Sequence, residues 1–126
     1  MLITPTGDFQ FKVRCRRHEL VCDQPDRRDE GMTPPELFAA SLGACIGVYV
    51  ENYCRQARIP VEGMTIDVEW DKEQNPARIG SIRVSVKVPG VRARGRLQAI
   101  RRAAESCLIH NTLKQPPQVS LTVEAG

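Results

Sequence analysis

Between Leu37 and Val50 the chain carries a single clearly polar side chain, Ser41. Any fold open to it has to cover that stretch. The run begins with a helix-start pattern. Thr33 suits an N-cap, Pro34 takes the first helical position, and Glu36 stands three residues after the cap, completing a capping box. The pattern predicts one helix from Thr33 to about Ala57, closed by Ile59-Pro60. With so few polar positions, most of its circumference is expected to be covered. The shortness of the apolar run and its charged flanks argue against a membrane span. Ala39, Ala40, Ser41, Gly43, Ala44 and Gly47 are small. Interior glycines cost a helix about 1 kcal/mol each, and the expected return is close approach by another backbone.

Alternation of apolar and polar residues marks strands elsewhere. Phe9, Phe11, Val13 and Cys15 alternate, Arg16-Arg17 reads as a turn, and His18 to Cys22 as the second arm of a hairpin. Met64, Ile66, Val68 and Trp70 mark a third strand; Ile82, Val84, Val86 and Val88 mark a fourth, antiparallel to it. A second helix is expected from about Ala93 to Leu108, with Leu97, Ile100, Ala104, Cys107 and Leu108 on one stripe. A short helical turn over Ile109 to Leu113 and a last strand over Val119 to Val123 follow. The expected order, β-β-α-β-β-α-β, is that of an α+β fold with mostly antiparallel pairing. No linker, repeat or low-complexity segment interrupts it, so residues 1–126 are read as one domain.

Composition narrows the function. A chain of 126 residues buries about two-thirds of its open-chain surface, enough for a core without disulfides or a structural metal. The net charge of +3 is mild for a nucleic-acid binder, and one Trp, two Tyr and three Phe give no stacking platform. There is no Walker loop, dinucleotide fingerprint or nucleophile elbow. Without a secretory leader or a membrane-spanning run, the expected compartment is the cytoplasm, where cysteines stay reduced.

The five cysteines are Cys15, Cys22, Cys45, Cys54 and Cys107. Cys45 and Cys107 each fall on a packed helix face. They are either small buried hydrophobes or, if the helices cross there, a pair able to cycle between dithiol and disulfide. Cys54 lies nine residues after Cys45, about 180° round the helix, and cannot share its face. Cys15, His18 and Cys22 offer three metal-ligand types within eight residues, but no fourth ligand and no CxxC; no metal or cofactor is expected. His110, three residues after Cys107, is either its general base or a residue at the helix end. The run Arg92, Arg94, Arg96, Arg101 and Arg102 is either a solvated helix face or a phosphate-binding surface.

The segment TPPELFAASLGACIGVYVENYCRQARIPVEGMTIDVEW, taken with CLIHNTLKQPPQVSLTVE near the end, resembles the OsmC/Ohr family. The likeness runs from about Phe9 to Val123. It implies an OsmC-like fold, with antiparallel sheets packed around two central helices in an intertwined homodimer whose active sites lie at the subunit interface. It also implies a thiol-dependent peroxidase acting on organic hydroperoxides. In that scheme Cys45 attacks the peroxide and becomes a sulfenic acid, Cys107 resolves it as a disulfide, and an external dithiol reduces the pair. Peroxidase members hold a glutamate and an arginine beside the first cysteine. Here Pro35 stands at the glutamate's place with Glu36 one position later, and Arg14, Arg16 and Arg17 are the candidates for the arginine. Leu108 replaces a proline found after the second cysteine in many members. The alternatives are an OsmC-like protein that binds a small ligand without catalysis, or a thiol redox sensor; no nucleic acid or membrane partner is expected.

Overall fold

A computed structural model describes residues 1–126. Its elements run β1 (Leu2–Gly7), β2 (Gln10–Cys15), β3 (His18–Cys22), α1 (Pro34–Gln56), β4 (Thr65–Glu73), β5 (Arg78–Lys87), α2 (Arg96–Glu105) and α3 (Leu108–Lys114). The residues group into two compact units, Met1–Ser41 with Val68–Val84, and Leu42–Asp67 with Ser85–Gly126. Both α1 and the β4–β5 pair contribute residues to each unit.

In the first unit, β1, β2 and β3 form an antiparallel sheet in that order. The Arg16-Arg17 turn falls where the sequence puts it, with Arg16 at φ 55. β1 was not expected. Its connection to β2 is the dipeptide Asp8-Phe9, both residues at positive φ (52 and 63), as a tight hairpin turn demands. That turn usually takes Asn-Gly or Asp-Gly, so Phe9 disguises it as strand. The Arg27 guanidinium lies over the Phe9 ring, 4.8 Å from its centroid, and contacts the Asp8 carboxylate. Pro5 inside β1, next to a register shift before Gly7, hides the strand further.

The pairing register sorts the sheet's two faces. Val13 lies opposite Ile3 and Leu20, and Cys15 opposite His18, so Ile3, Phe11, Val13, Cys15, Leu20 and Cys22 share one face. Ile3, Phe11 and Leu20 are exposed on it. His18 and Cys22 stand four positions apart along β3, about 13 Å at strand rise, so Cys15, His18 and Cys22 cannot close on one ion. The other face carries Lys12 and Arg14, both paired to Glu19.

Asp23 fastens the loop between β3 and α1. It is fully buried. Its carboxylate accepts the backbone N–H groups of Gln24 (2.8 Å) and Glu30 (3.0 Å) and the side-chain amide of Gln10 (2.9 Å). The Thr6 hydroxyl donates in turn to Gln10. Asp23's own N–H donates to the Met32 carbonyl, completing the loop.

α1 begins as the sequence indicates. The Thr33 N–H donates to Glu36 Oε1 at 2.8 Å, and the Glu36 N–H donates to Thr33 Oγ1 at 3.3 Å. Ala39, Leu42, Ile46, Val50 and Cys54 form its buried stripe, at the spacing of one helix face. Coverage is narrower than expected: Phe38, Ala40, Ala44, Val48 and Tyr49 remain exposed, because one chain provides neighbours for one side only. At 23 residues, with a mean hydropathy of 1.2 over 18 of them, α1 is long and apolar enough to cross a membrane by length and composition, contrary to the expectation from the apolar run. A core helix meets the same test, and the buried stripe is that of a core helix. Gly47 earns its place differently from the expectation too: a Cβ there would lie 2.8 Å from the end of the Ile66 side chain, so a side chain rather than a backbone makes the approach.

α1 stops in a reverse turn. The Ile59 N–H reaches back to the Cys54 carbonyl and the Arg58 N–H to that of Arg55, with Arg58 in the left-handed region at φ 57. This is the double-bonded helix ending that usually holds glycine at that position.

β4 and β5 form a two-stranded sheet, with Ile66, Val68 and Trp70 alternating half-buried against exposed neighbours. The second predicted helix is shorter than expected at both ends, and the short helical turn expected over Ile109 to Leu113 is present as α3. α2 ends at Glu105, Ser106 donates its hydroxyl to the Arg102 carbonyl, and Cys107 is extended before α3 begins. Of the expected stripe, Ile100 and Cys107 are buried, whereas Leu97 and Leu108 are exposed. The last predicted strand is not formed. Val119, Leu121 and Val123 are each about nine-tenths exposed. The alternation is present, but this chain supplies no strand beside it, and an isolated strand has nothing to accept its hydrogen bonds.

Asp23 gives a pH test. The Glu30 N–H and then the Gln10 amide hold its carboxyl below its ordinary value of 3.8. A folded-state pKa below the unfolded one adds stability that is present above pH 3.8 and is lost as the pH falls through the lowered value. Asn cannot accept two backbone N–H groups on separate oxygens. Asp23→Asn is therefore expected to lower the melting temperature at pH 7, with the gap to the wild type narrowing as the pH falls below 3.8. Thermal melts followed by circular dichroism across that range test it; a gap independent of pH would show that the carboxylate charge is not what holds the loop.

Candidate active site

Cys45 sits halfway along α1, half-buried at the edge of the buried stripe. Its neighbours one turn away on the helix surface, Ser41 and Val48, are exposed, so the thiol borders solvent. Cys107 is reached by a different route. The break after α2 leaves it at φ −66 and ψ 146, as the N-cap of α3, where its sulfur accepts the His110 N–H at 3.2 Å. It has no accessible surface.

These two thiols are close enough for Cys45 to act on the titration of Cys107. Burial is the main influence raising the Cys107 pKa; the His110 N–H pulls it back, the adjoining Cys45 thiol raises it again, and the Ile109 N–H opposes. Both sulfurs are reduced. The result is an asymmetric pair: one thiol at the border of solvent, the other sealed and held protonated at neutral pH. Neighbouring thiols of this kind can close to a disulfide once either sulfur is oxidised.

Cys54 takes no part. It lies on the buried stripe, half a turn from Cys45, and burial followed by the nearby Glu51 charge raises its pKa, the setting of an inert thiol. His110 contributes its backbone rather than its ring: Nδ1 is 3.2 Å from the Glu105 carbonyl oxygen. The reading of His110 as a residue at the helix end therefore stands over that of a general base.

The other residues singled out in the sequence have local roles of their own. The Glu36 carboxylate is engaged by Thr33, whose N–H and then hydroxyl lower its pKa. Arg14 donates from Nε to Glu19 at 2.9 Å. Arg16 occupies the turn between β2 and β3. The sequence places the break between the two helices after Leu108; the structure places it at Ser106-Cys107, which makes Cys107 a cap, and the apolar spacing that runs on to Leu108 conceals it.

A family model described as OsmC-like protein matches residues 27–122. In three dimensions the chain is similar to a protein from Psychrobacter arcticus at 19% identity and TM-score 0.81, covering 88% of this chain and 85% of that one. It is similar to an OsmC-like protein from Mycoplasma pneumoniae at 16% identity and TM-score 0.79, covering 91% and 86%. It is also similar to an organic hydroperoxide resistance protein, OsmC, from Legionella pneumophila at 18% identity and TM-score 0.66, covering 90% and 88%. No curated protein matches the chain in sequence. At these identities the structural likenesses speak for the fold.

The unequal access of the cysteines is directly measurable. In native protein, brief alkylation followed by peptide mass mapping is expected to modify Cys45 about tenfold or more faster than Cys54 or Cys107, as exposure controls thiol reactivity. Equal rates for Cys45 and Cys107 would mean that Cys107 is not sealed.

Proposed function

For a chain that belongs to the OsmC-like protein family, we propose a thiol-dependent peroxidase that reduces organic hydroperoxides. The proximity of a half-buried Cys45 to a sealed Cys107 carries the reading. The Cys45 thiolate attacks the terminal peroxide oxygen; the O–O bond breaks, the alcohol leaves with a proton, and Cys45 becomes a sulfenic acid. The Cys107 sulfur then attacks the Cys45 sulfur, water leaves, and a disulfide forms. An external dithiol reduces that disulfide by two exchange steps and is itself oxidised. The apolar surface beside Cys45, Ala44 and Val48, suits an alkyl chain. A reducing, cytoplasmic setting keeps the resting pair as thiols.

A redox sensor would form the same disulfide, so turnover decides between them. With excess dithiol, the protein is expected to consume an alkyl hydroperoxide over many cycles. One equivalent of peroxide without dithiol should leave a mapped Cys45–Cys107 linkage. Cys45→Ser should abolish turnover. Cys107→Ser should react once and leave a trappable sulfenic acid. Glu36→Gln should retain turnover, because Gln also completes the capping box; loss of turnover with the helix intact would assign Glu36 to activating Cys45. Unreacted thiols and no peroxide consumption would overturn the peroxidase reading.

The same proposal includes a homodimer. The exposed apolar face of the three-stranded sheet, the open side of α1 and the unpaired alternating tail Val119–Val123 all lack cover that one chain can provide, which favours a large obligate interface. Sedimentation is expected to give twice the 14.1 kDa chain mass; a monomer at micromolar concentration would remove the dimer from the proposal.

A further inference from the structure

Three arginines converge on a cleft that the cysteine chemistry does not use. Arg58, Arg92 and Arg96 line a space of about 280 Å³ together with Ile59, Pro60, Gly90 and Ala93. They come from separate places: the end of α1, the segment after β5, and the first position of α2. No Asp or Glu lines the cleft. None of the three forms an ion pair, whereas Arg55 and Arg101, on α1 and α2, each hold a glutamate four residues away. Arg96 Nη1 donates to the Tyr53 hydroxyl at 3.2 Å, which orients the guanidinium without neutralising it.

The backbone is built around this convergence. Arg58 occupies the left-handed position that ends α1, where glycine is the usual and less strained choice. Gly90, also in the lining, packs so tightly against Pro60 that a Cβ there would collide with the Pro60 carbonyl. α2 adds its positive end: Gly95 provides no side-chain cap and its first turn holds no acid. Three uncompensated guanidinium groups call for a multiply charged oxyanion, since each planar fork matches two phosphate oxygens. The volume falls just short of the roughly 300 Å³ at which small-molecule pockets begin. That leaves room for a phosphate group and a few carbons beside the apolar lining residues.

We propose that this cleft binds a small phosphate monoester, its phosphate held by Arg58, Arg92 and Arg96 and its carbon portion resting on Ile59, Pro60 and Ala93. The site is separate from the cysteine pair and stands or falls independently of the peroxidase reading. Calorimetric titration of the full chain with glycerol phosphate, inorganic phosphate and glycerol tests it. Glycerol phosphate is expected to bind saturably and several-fold more tightly than inorganic phosphate, and glycerol not at all. The double variant Arg92→Gln/Arg96→Gln should weaken binding about tenfold or more, at 1.4 kcal/mol per decade. Arg101→Gln/Arg102→Gln, which removes the same charge from outside the cleft, should change it less than about twofold on the same scale. If the first double variant does not fold, Arg58→Gln takes its place with the same expectation. Three results would overturn the proposal: no saturable binding of glycerol phosphate at millimolar concentration, equal loss in both double variants, or inorganic phosphate binding as tightly as the ester.

Discussion

Covering α1 is the constraint from which most of this architecture follows. A 23-residue helix with one clearly polar side chain between Leu37 and Val50 cannot stand in water. The chain answers on one face, with the stripe from Ala39 to Cys54. Cys45 owes its position to where that stripe ends. One step round the helix from Ile46, it is neither sealed in with Cys54 nor fully in solvent with Ala44. A thiol at that margin can meet a reagent from outside and a partner thiol from within. The face left uncovered is the same feature seen from the other side.

The parts legible in the sequence are those decided by local chemistry. Thr33, Pro34 and Glu36 predict the start of α1, and the structure uses Thr33 and Glu36 as a reciprocal cap. Arg16-Arg17 makes the β2–β3 turn, and alternation locates β4 and β5 to within a few residues. The misses share a cause: each depends on something outside its own window. β1 was hidden because Phe9 stands in a turn under Arg27, a residue eighteen positions further along the chain, so its conformation is a tertiary choice. The break at Ser106-Cys107 interrupts a helical spacing that the residues themselves would tolerate. The strand predicted over Val119–Val123 has its pattern but no neighbour in the chain.

The candidate site divides in the same way. That Cys45 and Cys107 could meet was readable from their places on two apolar helix faces. That Cys107 would be a cap, taking an N–H from His110, was not, since the cap exists only because α2 stops early. Glu36 shows the converse. Its family-based role and its capping role compete for one carboxylate, and in this structure Thr33 holds it. Arg92 and Arg96, read only as part of a basic run, acquire meaning once Arg58 is brought beside them by the turn that ends α1.

The Asp23 network has a further consequence for how the N-terminal segment assembles. Its bonds span short stretches of chain: thirteen residues to Gln10, seven to Glu30 and one to Gln24. The entropy of closing a loop grows only with the logarithm of its length, and loops this short close within about 100 ns. Nothing in the fastening waits for a distant element. The sheet and the loop behind it therefore have the means to set their own geometry first, and to present α1 with a fixed starting point before the rest of its long apolar face has found cover.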